Sequence, residues 1–440
     1  MDKSILFPII LEWQKIVAQT EGIFRSYQSE LFELIGSKPI KIVTGFRRSG
    51  KSFLVQKTIS QLIAEKKIAK KNVLYLNFED YQLASINNAQ LLDEVFQLFM
   101  NEIAEEGKKL IVLDEIQLVN DWDKFVRTIY EKYRNIEIIL TGSNSELLSS
   151  ELGSNLAGRF VEIKILPFDF KEFTLIRGLN IKSEKDYFEN INKINSLFGE
   201  YLNFGGLPEL VSITTEKAKQ SYLEGVLSKV VLDDVVNRFN VRQPAVIDQI
   251  IKYLFIGTGN ITSYARISTH LKTAGHDVKS DTVANYVDFI VKTFAMYALE
   301  KLEYKQSRVF GTIKKFYSVD TGFSALYGGY IKIYSRLLEN VVFLKLKRES
   351  DQINFGQNES GKEIDFVVTE RDRSVTNYQV AVTLNESNKD RELSSFVSID
   401  RYISNGRHLF LSTDTDEKTI EYSGIKIERR NIVRWLLGVS

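Results

Sequence analysis

The sequence predicts an α/β fold: a parallel sheet with helices on both faces, followed by a helical stretch and then mixed α and β segments. Three observations predict it. Short apolar runs of strand length recur at Ile40–Thr44, Val73–Phe78, Leu110–Leu113, Ile136–Thr141 and Phe160–Ile165. Between them, Lys51–Glu65, Asn88–Glu105 and Trp122–Tyr133 carry apolar residues at helical spacing. A glycine-bounded string, Gly45–Ser52, lies at the first strand-to-helix junction. Strands that alternate with helices pair in parallel, because each crossover needs a helix to return the chain.

Composition narrows the rest. At 440 residues the chain exceeds what one core usually organises. An apolar fraction of 44% with 26% charged residues is that of a globular protein. The formal net charge is +1, from 58 basic and 57 acidic side chains, so binding to nucleic acid or anionic lipid would need a local patch. The absence of cysteine excludes a disulfide framework, a thiolate zinc site and a cysteine nucleophile. Three histidines (His270, His276, His408) leave little for a histidine metal site. The early run Ile5–Leu11 is short and has neither a basic leader nor a cleavage site, so no signal peptide is expected. No apolar stretch nears the roughly 20 residues that span a bilayer. A cytoplasmic protein without membrane contact is expected.

Along the chain, residues 9–35 read as amphipathic helix ending at the break Ser37-Lys38-Pro39. Residues 192–239 are helical, interrupted by Gly205-Gly206-Leu207-Pro208. Residues 244–302 read as three helices followed by a β-rich stretch. Within them Thr262–Leu271, the break Thr273–His276 and Ser280–Thr293 resemble a helix-turn-helix. Farther on come a helix at Leu338–Arg348, strands at Gln352–Phe355, Glu363–Val368, Tyr378–Leu384 and His408–Ser412, and a last helix at Asn431–Leu437.

The string Gly45-Phe46-Arg47-Arg48-Ser49-Gly50-Lys51-Ser52 fits the phosphate-binding pattern G-x-x-x-x-G-K-[ST]. Its glycines let backbone N–H groups wrap a phosphate, Lys51 reaches the β- and γ-phosphates, and Ser52 ligates Mg²⁺. The helix that follows aims its positive end at the same charge. ATP and Mg²⁺ are the expected ligands. Leu110–Leu113 ends in Asp114-Glu115, where Asp114 would hold Mg²⁺ and Glu115 would activate water as general base. After Ile138–Thr141 stand Ser143 and Asn144, either of which could sense the γ-phosphate. Arg159 is a candidate arginine finger, in cis or from a neighbouring subunit, or else a partner of Glu162.

These motifs together, with Asn77–Asp80, Leu156–Phe160 and Leu166–Phe173, resemble a family of prokaryotic AAA-type ATPases that carry a C-terminal domain of unknown function. Phe204–Pro208, Lys315–Gly322, Glu339-Asn340 and Gly361–Phe366 extend the resemblance over nearly the whole chain. It implies an AAA-type P-loop ATPase domain at 1–190, a helical lid at 191–243, a winged-helix-like domain at 244–325 and a restriction-endonuclease-like α/β domain at 326–440. For that last domain the resemblance implies a two-carboxylate metal site, here a vestigial set of Glu339, Asp365 and Gln379. Glu363 and Asp365 would share one strand face. Ala381 stands where such nucleases keep a lysine, which argues for binding or docking rather than cutting. Lys362 and Lys389 are the substitutes within reach in sequence.

The helix-turn-helix candidate offers Tyr264, Arg266, His270, Lys272, Lys279, Asn285 and Lys292, diluted by Asp277, Asp281 and Asp288. The expected function is ATP hydrolysis coupled to a change in the C-terminal half. The alternatives are a slow nucleotide-controlled switch on DNA or a protein partner, and a metal-dependent nuclease. Oligomerisation is compatible with all three.

Overall fold

In the computed structural model, which describes residues 3–143, 145, 156–302, 313–358, 361–400 and 406–439, the five apolar runs become strands. They are β1 (Ile40–Gly45), β2 (Val73–Asn77), β3 (Lys109–Asp114), β4 (Ile136–Gly142) and β5 (Phe160–Ile165). All pair in parallel, in the order β2-β3-β4-β1-β5. They lie in the first of two units, Met1–Ile165 and Leu166–Ser440.

Burial on both faces explains why the runs are continuous rather than alternating. Ile40, Ile42, Leu74, Leu76, Ile111, Leu113, Ile138 and Leu140 pack on one face. They meet Leu6, Ile9 and Ile10 of α1 (Lys3–Ala18), Leu92 and Phe96 of α4 (Ala89–Leu98), and Phe125 and Val126 of α5 (Trp122–Lys132). Val43, Tyr75, Val112, Ile139 and Ile163 pack on the other face. There they meet Leu31 of α2 (Ser26–Leu34) and Leu54, Val55 and Ile59 of α3 (Lys51–Ala64). The single helix expected over 9–35 is therefore two helices. The chain turns between them to bring Arg25 to the backbone before α3, and its guanidinium donates to the Ser49 carbonyl at 2.9 Å.

The second unit begins with α6 (Phe170–Ile176), whose first turn is closed by a capping box between Asp169 and Glu172. Helices α7 (Glu184–Glu189), α8 (Ile191–Phe204) and α9 (Glu216–Lys229) follow, the last continuing into a π-helical segment, Val230–Asn237. Then come α10 (Pro244–Ile256), α11 (Tyr264–Thr273) and α12 (Ser280–Lys292). A small antiparallel sheet joins β6 (Ile261–Thr262), β8 (Lys314–Ser318) and β7 (Met296–Glu300) in that order.

After α13 (Thr321–Gly328) and α14 (Tyr334–Glu349) runs a six-stranded mixed sheet of order β13-β14-β12-β11-β10-β9. Its strands are β9 (Ile353–Gln357), β10 (Glu363–Thr369), β11 (Val375–Val380), β12 (Arg407–Ser412), β13 (Ile420–Tyr422) and β14 (Ile425–Asn431). Strands β9, β10 and β11 form an antiparallel meander. Helix α15 (Lys389–Asp400) then carries the chain to β12, parallel to β11, and α16 (Ile432–Leu437) ends the chain. Neither α15 nor the β13–β14 hairpin is predicted from the sequence. Helix α15 opens with Lys-Asp-Arg-Glu and follows an Asn-rich turn, so its apolar spacing is sparse.

The stretch from β8 into α13 is pinned by polar contacts. Ser318 donates its backbone N–H to Asn340 Oδ1 at 2.8 Å, and Thr258 donates to the same oxygen at 2.7 Å. Asp320, buried, accepts the N–H groups of Gly206 and Gly322, each at 2.8 Å. Burial pushes its carboxyl up to about 6 against those two donors. Gly205 lies at φ +85, and a Cβ there would fall 1.5 Å from Asp320 Oδ1. Both backbone and space therefore require glycine. Gly205→Ala should cost more than about 3 kcal/mol of unfolding free energy in urea. The internal control Gly225→Ala, in α9 with nothing within 4 Å of its added carbon, should stabilise by about 0.5–1 kcal/mol.

Candidate functional site

Strand β1 ends at Gly45, whose φ of +151 and missing Cβ let the chain pass the Ile165 carbonyl, 2.3 Å from where that carbon would lie. The backbone then turns back through Arg48 at φ 64 and Gly50 at φ 92, and Gly50 caps α3 from the left-handed region. Phe46, Ser49 and Lys51 are buried under this loop. The Lys51 ammonium donates to the carbonyls of Gly45 (3.2 Å) and Phe46 (3.4 Å) and pairs with Glu115 Oε1 at 3.2 Å. Arg47 reaches Glu79 beyond the end of β2, at 2.8 Å.

Asp114 ends β3 wholly buried, and three hydroxyls converge on it. Ser52 of α3 donates to Oδ1 at 3.1 Å, Tyr75 of β2 to Oδ2 at 2.6 Å, and Thr141 of β4 to Oδ1. Burial, with Glu115 next in the chain, raises the Asp114 carboxyl, and the three donors hold it back. Tyr75 is itself fixed from behind by Gln56, at 3.0 Å, and by the stacked ring of Trp13. Burial, and then Asp114, push its phenol well above the ordinary tyrosine value.

Glu115 adopts a left-handed backbone, φ 55, with its N–H on Thr141 Oγ1 at 2.9 Å. Burial pushes its carboxyl up, but Lys51, Gln117 and Arg47 outweigh that and leave it below the ordinary glutamate value. Gln117 donates to Glu115 and, at 3.4 Å, to Ser143. Among the described residues, Ser49 Oγ and Gln117 Oε1 are buried here without a protein partner. Such atoms fit a ligand with both donors and acceptors.

The structure thus brings Gly45–Ser52, Asp114, Glu115 and Ser143 together. Asn144 lies outside the described residues. Arg159 is elsewhere. It precedes β5, and its carbonyl accepts the N–H of Ile40 at the start of β1, at 2.8 Å. Its guanidinium pairs with Glu131 of α5 at 3.2 Å, while Glu162 accepts from Thr44 and lies 3.8 Å from the Lys164 ammonium. Parallel register puts Ile40 beside Phe160 and Gly45 beside Ile165, so Arg159 stands at the opposite end of the strands from the loop. At about 3.3 Å per residue, six residues place it roughly 20 Å away, too far for a finger in cis. Tyr75 and Arg25 belong to the site although no motif marks them. The signal for Tyr75 is a phenol within an otherwise aliphatic strand, since a buried hydroxyl needs a partner.

Of the carboxylates expected in the last domain, Glu339 and Asp365 come together, each within reach of Lys315 (2.8 and 3.2 Å). Gln379 instead donates to Glu392 of α15 at 3.1 Å. The side chains form no group of three acids or histidines that could hold a metal ion, among the described residues. The lysine that meets the carboxylates is neither Lys362 nor Lys389 but Lys315, from a strand before the domain.

Sequence comparison agrees with this geometry. Residues 37–174 match an AAA domain, and residues 195–328 match a domain of unknown function, DUF8612. An uncharacterized protein of Haemophilus influenzae is 30% identical over 94% of this chain and 98% of its own length. Uncharacterized protein MJ1544 of Methanocaldococcus jannaschii is 32% identical over 90% of this chain and 86% of its own. Among solved structures, the Walker-type ATPase PABY2304 of Pyrococcus abyssi covers 70% of this chain and 97% of its own at 14% identity and a TM-score of 0.45, too low to carry function. No helix among the described residues is long and apolar enough to cross a membrane. With nearly the full length of the Haemophilus protein aligned and an AAA domain spanning the loop and Asp114, the chain belongs to the family of these Haemophilus and Methanocaldococcus proteins, with an AAA-type P-loop domain at its N-terminal end.

Proposed function

We propose that the protein binds ATP at Gly45–Ser52 and hydrolyses it, and that this cycle controls its C-terminal half. The observation that carries this is the pairing of Lys51 with Glu115 beside the hydroxyl-caged Asp114. The loop's N–H groups and the start of α3 receive the phosphates. A magnesium ion arriving with the nucleotide would be held by Ser52 and Asp114 and would neutralise charge on the phosphate oxygens.

The chain's own residues divide the remaining work. A γ-phosphate draws Lys51 away from Glu115, which removes the cation that keeps that carboxyl acidic. Glu115 then accepts a proton from the attacking water. Gln117 and Ser143 bound the same corner and orient that water or the γ-phosphate, a role Asn144 would share. Arg159 serves in this reading only from a neighbouring copy of the chain.

Downstream, α10–α12 with the β6-β8-β7 sheet support a winged-helix-like docking unit. A protein partner is favoured over DNA, because Lys272 and Lys292 are opposed by Asp277 and Asp288. The order α14-β9-β10-β11-α15-β12 supports a nuclease-like sheet, but Ala381 and the turning of Gln379 to Glu392 favour binding over cleavage.

Three variants test the hydrolytic reading. Lys51→Ala should weaken nucleotide binding at least about tenfold, 1.4 kcal/mol or more. Glu115→Gln should bind ATP normally while kcat falls roughly 10²–10⁴-fold. Turnover by Glu115→Gln at the rate of the unaltered chain would remove that residue from the base role. Tyr75→Phe keeps the ring stacked on Trp13 but deletes one donor to Asp114. It should cost about 1.5–3 kcal/mol of stability without nucleotide and raise the Mg²⁺ concentration needed for half-maximal turnover. An unchanged Mg²⁺ requirement would confine Tyr75 to packing.

A further inference from the structure

Helix α10 ends at Ile256, and the chain turns through Gly257–Asn260 into β6. Beside this turn lies a cavity of about 420 Å³, bounded by α10, β6, α11, β8 and α14. That volume falls within the ~300–1,000 Å³ of small-molecule sites. The floor is buried and mostly apolar, made by Leu254 of α10 and Phe316 of β8 with Thr262 of β6. The rim is exposed and polar, made by Gln249, Asn260 and His270. Tyr253, half-buried, stands between the two levels. Its ring lies 5.0 Å from the His270 imidazole, and its hydroxyl meets that of Thr262 at 3.3 Å.

The charge around this space has one sign. Among the described residues no carboxylate lines the cavity, whereas Lys252 and Arg336 do. Lys252 pairs with Asp248, one turn earlier in α10, at 2.7 Å. Arg336 of α14 gives one N–H to the Ile256 carbonyl at 2.7 Å and meets no other acceptor among the described residues. The remaining donors of its planar fork are open to a ligand. Neighbouring carbonyls at the end of α10 do not compete for them, because Tyr253 and Phe255 accept from the N–H groups of Gly257 and Thr258. A guanidinium with unspent donors beside an apolar floor suits an oxyanion attached to an apolar body.

We propose that this cavity binds a small amphipathic anion, a molecule with an apolar body of one or two rings and a single anionic group. The body rests on Phe316, Leu254 and Tyr253, and Arg336 holds the anion. A second charge on the ligand would lie against the apolar floor without a partner, so a polyphosphate does not fit. The occupant touches five elements at once and therefore stabilises their packing by mass action.

The test uses anilinonaphthalene sulfonate, titrated into the full-length chain without nucleotide, with its emission giving the dissociation constant. Phenylnaphthylamine, which has the same rings and no sulfonate, is the neutral control. The unaltered chain should bind the sulfonate saturably. Arg336→Gln should weaken that binding at least about tenfold and leave the neutral dye within about twofold. Gln249→Glu brings a carboxylate to the rim from an exposed position. It should weaken the sulfonate about threefold or more, spare the neutral dye, and decide the matter should Arg336→Gln not fold. All three chains keep Gly45–Ser52, so dye bound at that loop contributes equally and failure of the ATPase reading leaves the comparison intact. Three results overturn the proposal: no saturable sulfonate binding by the unaltered chain, unchanged sulfonate affinity in a folded Arg336→Gln or in Gln249→Glu, or equal weakening of both dyes by Gln249→Glu.

Discussion

A buried carboxylate cannot be left to itself, and Asp114 organises the first unit for that reason. Removing a charged group from water is costly unless hydrogen bonds replace the lost solvent. Asp114 receives them from three hydroxyls on three elements: Ser52 on α3, Tyr75 on β2 and Thr141 on β4. Each fixes the register of its element against the end of β3. The depth of the loop before α3 and the order of the neighbouring strands are thus settled by one oxygen pair. Trp13 and Gln56 extend the constraint to α1 and the next turn of α3, because both hold Tyr75 in place.

The second constraint is electrical. Lys51 has few places to put its charge inside the loop, and Glu115 has few cations to turn to. Their pairing at 3.2 Å satisfies both, and it sets the two residues in competition with phosphate. A ligand can shift this arrangement only by its difference in affinity for the paired and separated states. A triphosphate offers Lys51 a stronger anion than a single carboxylate, whereas a ligand that stops short of Lys51 offers nothing. On the proposed reading, the pair would discriminate by the reach of the phosphate chain.

The parallel sheet was legible because its strands are buried on both faces, which makes each an unbroken apolar run. The loop and Asp114-Glu115 were legible because phosphate binding demands particular residues at fixed spacing. Other features depend on contacts far apart in sequence. The break between α1 and α2 is marked locally by Gly22 alone, and its contact between Arg25 and Ser49 is not encoded nearby. The position of Arg159 at the far end of the strands from the loop follows from strand register, which motif spacing does not encode. Helix α15 has charged residues in its first turn and gains its stability by covering Ile364, Val367 and Phe410. Lys315 was missed because a lysine within a strand reads as a surface residue until the opposite carboxylates are known.

The stretch Lys315–Gly322 matched the family pattern without disclosing a task, and the structure supplies a physical reason for its composition. The stretch carries successive polar junctions, the one at Ser318 made by its backbone. Lys315 and Tyr317 meet Glu339, Ser318 meets Asn340 one residue farther along α14, and Asp320 meets Gly206 beside the obligatory Gly205. Glu339 and Asn340 point to different contacts from adjacent positions of one helix, so β8 cannot slide along α14 without breaking both. Buried polar groups that lose their partners are costly one at a time. Withdrawing the Lys315 ammonium by strand movement therefore drags Ser318 and Asp320 out of their junctions as well. The segment is thus seated as a whole, by Glu339 and Asn340 of α14 at one end and by the Gly205-Gly206 turn at the other.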